Sequence, residues 1–98
     1  DMAAYARKMF GMYGGKEEWV RIECDNSFAG VMIDRFGKDV SMIRLDDKRF
    51  VVNVEVAVSR QFLAWIIGLG QGVTLAGPQN VVEMMNAEID RLIKQYKK

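Results

Sequence analysis

The sequence predicts an α+β domain of the ferredoxin-like plan: a β-α-β-β-α-β unit with a four-stranded, mainly antiparallel sheet, followed by a C-terminal helix. Three observations predict it. Runs with apolar residues at every second position alternate with runs whose apolar residues recur at steps of three and four. The two strand-helix-strand stretches this produces must cross over in the right-handed sense, which lays the strands in one sheet with both helices on one face. The chain is also of single-domain size, with 98 residues of which half are hydrophobic and 28% charged, enough to bury a core without metals or disulfides.

Residues 1–15 read as a lead-in helix or linker from an upstream domain, ending at Gly14-Gly15. Its Tyr5, Met9, Phe10 and Met12 are too apolar for a free tail, and packing on the following domain or on a preceding one both fit. The domain proper spans 16–98. Its first strand runs from Trp19 to Cys24, with Val20, Ile22 and Cys24 on one face and Trp19, Arg21 and Glu23 on the other. Asp25-Asn26-Ser27 offers N-cap side chains. Ala29, Met32, Ile33 and Phe36 then mark the inward face of a helix that Gly37 ends.

Val40 to Leu45 forms a second strand, and Asp46-Asp47-Lys48-Arg49 a polar hairpin connection. The third strand is the cleanest element. Val52, Val54, Val56 and Val58 alternate with Val51, Asn53, Glu55 and Ala57, and β-branched residues favour a pleated strand. Ser59 caps a second helix whose core face is Phe62, Trp65, Ile66 and Leu69, while Leu63 and Ile67 widen its apolar arc toward a second contact. Gly68, Gly70 and Gly72 end that helix before a short strand over 73–76. Pro78 opens the last helix at its first position, with Val82, Met85, Ile89, Leu92 and Tyr96 as the inward stripe. The outward strand face carrying Trp19 calls for cover by this helix or by another subunit.

The inventory excludes several chemistries. The chain has no histidine and one cysteine, Cys24, so it cannot build a His-based triad, a His-ligated metal site or an internal disulfide. No metal, cofactor or catalytic residue is expected, and the chain reads as a non-enzyme. The formal charge of +1 is not that of a strongly cationic nucleic-acid binder. Gly68-x-Gly70-x-Gly72 follows a helix and precedes a strand, the reverse of a dinucleotide loop, so it reads as a helix stop.

Several blocks stand in a recognisable order: Met12-Tyr13-Gly14-Gly15, then Val31-Met32-Ile33-Asp34-Arg35-Phe36-Gly37-Lys38-Asp39-Val40. They continue with Ser59-Arg60-Gln61-Phe62-Leu63-Ala64-Trp65-Ile66-Ile67-Gly68-Leu69-Gly70, Pro78 and Tyr96. The stretch from Tyr5 to Tyr96 thus resembles the C-terminal extension, or WCX domain, of WYL-domain transcriptional regulators. The resemblance implies a cytoplasmic regulator whose helix-turn-helix domain binds DNA and whose Sm-like WYL domain senses a ligand, both upstream; a start at Asp1 rather than Met fits that expectation. Neither the Trp-Tyr-Leu signature nor a helix-turn-helix pattern lies in this chain.

The functional expectation is therefore a regulatory, dimerising or effector-responding module. A homodimer is the expected assembly, with a nucleic-acid or small-molecule effector and no membrane partner. A stand-alone small-ligand or nucleotide-binding regulatory domain is the alternative. Arg35, Arg44 and Arg60 are the candidate ligand-binding residues, since a guanidinium can grip a phosphate or carboxylate with two hydrogen bonds. Trp19, Val31, Leu63, Ile67 and Met84 are the candidate interface residues, being apolar groups left over once the core faces are assigned.

Overall fold

A computed structural model describes residues 15–97 of the chain. The expected lead-in over 1–15 lies outside them but for Gly15. The elements are β1 (Lys16–Asp25), a single 3-10 turn (Asn26–Phe28), α1 (Ala29–Phe36), β2 (Ser41–Arg44), β3 (Arg49–Val58), α2 (Arg60–Gly68), β4 (Val73–Gly77) and α3 (Gln79–Tyr96). The sheet has the order β2-β3-β1-β4 with every neighbouring pair antiparallel. The ferredoxin-like expectation is met: β3 lies between β1 and β2, and β4 pairs on the outer side of β1.

Register explains the core. Val20 sits opposite Val54, Ile22 opposite Val52 and Cys24 opposite Phe50, so the even-numbered side chains of both central strands share one face. They meet Met32 and Phe36 from α1, Phe62, Leu63 and Ile66 from α2, Val73 and Leu75 from β4, and Val81 from α3. Burying such a side chain contributes about 1.5–3 kcal/mol, so this one layer accounts for most of the drive to fold. The alternation on β3 is less clean than expected, because Val51 and Ala57 on the other face are also buried.

The junctions differ from expectation in ways that the hydrogen bonds explain. Asp25 makes no side-chain cap. Instead its N–H donates to the Gly72 carbonyl (2.8 Å), and the Asn26 N–H to the Lys48 carbonyl (2.9 Å). The end of β1 is thereby tied to two turns, and α1 starts through the 3-10 turn rather than a cap. The second strand shortens to Ser41–Arg44 because Val40 is drawn into a turn with Gly37 and Leu45 N–H donates to the Arg49 carbonyl (3.0 Å). Ser59 does cap α2, its hydroxyl accepting from the Phe62 N–H at 3.2 Å. Gly37 closes α1 with φ of +92°, a value that favours glycine.

Two expected faces are corrected. Ile33 is 37% exposed, because Met32 and Phe36 centre the buried side of α1 and leave Ile33 on its flank. On α3 the wholly buried residue is Val81, not Val82, and Ile89 and Tyr96 are exposed. Pro78 is the N-cap rather than the first helical residue, and its carbonyl accepts from the N–H groups of both Val81 and Val82 (3.0 Å each). This entry turns Val81 toward the core. The helix therefore packs on β4 and α2 and does not cover the far face of the sheet, where Trp19 is 66% exposed.

Candidate contact surface between the last two helices

The residues that α2 turns toward α3 are Arg60 and Leu63, with Ile67 one turn further along the same side. Facing them, α3 presents Met84, Ala87, Glu88 and Arg91, again three and four apart. A shallow groove of roughly 370 Å³ runs between the helices, lined by Arg60, Leu63 and those four residues. Its floor is apolar. Leu63 is buried and Met84 is 39% exposed, while Ile67, a turn further along α2 and outside the groove, is 42% exposed.

Charge is organised at the rim. The Glu88 carboxylate accepts from Arg60 Nε at 3.3 Å across the groove and from Arg91 Nε at 2.9 Å along the helix. Arg91 also donates to the Gln95 side-chain oxygen at 2.6 Å. The hydrogen bond from Arg91, helped by the Arg60 charge, holds the Glu88 carboxyl below the usual carboxylate range and raises the Arg91 guanidinium in turn. Two cations against one anion leave the rim net positive. The arrangement suits an apolar segment or ligand that carries a carboxylate or phosphate. No lining side chain is a nucleophile with a base beside it.

Of the candidate residues, Arg60, Leu63 and Met84 come together here, and Ile67 lies one helical turn along α2 from Leu63, outside the groove's lining. The others stand elsewhere, each with different neighbours. Arg35 lies over the Trp65 ring, 5.1 Å from its centroid. Arg44 pairs with Asp47 in the hairpin after β2. Val31 is half-buried on α1, and Trp19 stands on the far face of the sheet across from Glu55. Glu88 and Arg91 were missed by the sequence reading. Their spacing of three was a usable signal for an ion pair, whereas the link from Glu88 to Arg60, 28 residues away, had none.

Among the described residues, no group of three or more Cys, Asp or Glu is placed to hold a metal, and no helix is long and apolar enough to cross a membrane. Comparison with protein families matches residues 16–93 to the WCX domain, from the first residue of β1 into the last turns of α3. No curated protein matches the chain.

Proposed function

The chain belongs to the WCX domain family, the C-terminal region of WYL-type regulators, and from that membership we propose that it is a regulatory and dimerisation module of a DNA-binding transcription regulator. It works by contact rather than by catalysis. DNA is bound by the helix-turn-helix domain upstream, in the cytoplasm, and this domain brings copies together and passes on the effector's signal.

The observation that carries the reading is the pair of open apolar side chains where the last two helices meet, Ile67 at 42% and Met84 at 39% exposed, beside the buried Leu63. Apolar side chains that gather on one face, unlike those scattered singly, are the mark of a contact surface. Two-fold dimers are the commonest assembly built from such surfaces. The test is the mass of the chain in solution by light scattering over a range of concentrations. A dimer supports the reading, and a strict monomer at the highest concentration counts against it.

A second reading, a stand-alone domain for a small anionic ligand or nucleotide, draws on Arg60 and Arg91 converging on one apolar-floored groove. A thermal-shift screen with nucleotides and oligonucleotides addresses it. A stabilising hit that is lost in Arg60→Ala favours it, and the absence of any hit removes it.

A further inference from the structure

The charge that lines the groove is only partly used inside the molecule. Arg91 engages its whole fork: Nε and Nη2 donate to one Glu88 oxygen, and Nη1 to the Gln95 side-chain oxygen. Arg60 donates to the other Glu88 oxygen through Nε alone, at 3.3 Å. Its Nη1 and Nη2 groups make no hydrogen bond among the described residues, and its side chain is 68% exposed. What stays open is the end of the guanidinium, two N–H donors in one plane that match the two oxygens of a carboxylate. With Nε on Glu88, that plane is oriented in advance, so less freedom is lost when a ligand binds.

Arg60 opens α2, and Leu63 follows it three residues later on the same side. The fork therefore stands beside the floor that Leu63, Met84 and Ala87 form. An anion gripped by Arg60 has an apolar surface within reach of the rest of its body, and the flexible Met84 can adapt to its shape.

Charge balance selects the anion. Arg60 and Arg91 set two positive charges against one on Glu88, whose carboxyl is held low by the Arg91 hydrogen bond and the Arg60 charge and so stays ionised at neutral pH. A monocarboxylate brings the groove to neutrality. A phosphate monoester, close to a dianion at that pH, would leave it net negative and set phosphate oxygens near the Glu88 carboxylate. The lining also holds no aromatic ring on which a base would stack.

We propose that the groove binds a small monocarboxylate with an apolar tail, its carboxylate gripped by Nη1 and Nη2 of Arg60 and its tail lying over Leu63, Met84 and Ala87. The inference rests on the second reading above and narrows its ligand from small anions and nucleotides to apolar carboxylic acids.

An NMR titration of the whole chain with octanoate tests it. The signals of Leu63, Met84 and Ala87 are expected to shift and saturate. Acetate, which lacks the tail, and octanol, which lacks the charge, are expected to leave them in place at the same concentration. Arg60→Ala is expected to raise the octanoate dissociation constant by about tenfold, the contribution of charge-assisted hydrogen bonds. Arg60→Lys keeps the charge but not the fork, so most of that affinity is lost there too. Both changes fall on an exposed side chain, and thermal melts verify that the fold is kept. Octanoate binding that Arg60→Ala leaves unchanged, that Arg60→Lys retains in full, or that octanol matches overturns the proposal. Saturable shifts with inorganic phosphate or a nucleotide, and none with octanoate, overturn it and leave the small-anion reading standing. Silence toward all of these probes overturns both.

Discussion

The guanidinium of Arg35 lies over the indole of Trp65, 5.1 Å from the ring centroid. Trp65 in turn meets Phe36 edge-on, with centroids 5.6 Å apart and planes at 88°. The T-shaped pair joins α1 to α2, and the cation seals the half of the indole that the core leaves open. An arginine that the sequence offers as a ligand grip is thus engaged in packing against an aromatic face.

The pair has a measurable coupling. Arg35→Ala is expected to destabilise the chain by about 0.5–2 kcal/mol, the range for a cation over an aromatic ring. Trp65→Leu removes the same interaction, so the two effects should not add. A double-mutant cycle in urea checks this. Strict additivity would mean that the stack contributes nothing.

Two glycines separate backbone propensity from close approach. Gly30 lies within α1 and a Cβ there meets nothing within 4 Å. Gly30→Ala is therefore expected to stabilise by about 0.5–1 kcal/mol, the helix-propensity difference between the two residues. At Gly72 a Cβ would fall 2.6 Å from Phe28 Cε2 and 3.0 Å from Asp25 Oδ2. Gly72→Ala must push the ring aside and strain the bond between the Asp25 N–H and the Gly72 carbonyl, for a loss of about 1–3 kcal/mol. Urea midpoints should move in opposite directions for the two variants.

That contrast marks what the sequence carries. Gly30 and the Val52–Val58 alternation are local, and local periodicity gave the order of strands and helices and the inward faces of the central strands. Gly72 could be read as a helix stop but not as the seat of Phe28, which depends on residues more than forty positions away. The same limit governed the surface. Leu63 and Ile67 stood out because they exceed one helical stripe, while the Arg60–Glu88 link needs the two helices side by side. The shift from Val82 to Val81 as the buried residue of α3 turned on how the chain enters at Pro78, an angle that a helical wheel does not contain.

Cys24 is wholly buried, and burial, with the Asp25 charge beside it, pushes its thiol up to about 11. The expected outcome is a thiol silent toward Ellman's reagent in the folded chain and fully titratable after denaturation, since the thiolate is the reacting species. The pH sign follows from the same shift. The folded state holds the proton more tightly than the unfolded chain, so the thiol's contribution to stability is complete below about pH 9 and is lost as pH rises toward 11. Cys24→Ala leaves a small cavity and removes that alkaline fall, which melts recorded from pH 8 upward detect.

Glu88 gives the opposite sign. Its carboxyl is held low by the hydrogen bond from Arg91 and, behind it, by the Arg60 charge. Its contribution is present above the ordinary carboxylate range and disappears as pH falls through the lowered value in the folded chain. The carboxyl titration followed by NMR should shift upward in both Arg91→Ala and Arg60→Ala, and further in Arg91→Ala because that bond dominates. The groove is open to water, so added salt should shrink both shifts. If Arg60→Ala leaves the titration where it was, the link between the helices is a chance approach of two surface groups, and the net positive rim ascribed to the groove loses its anchor on α2.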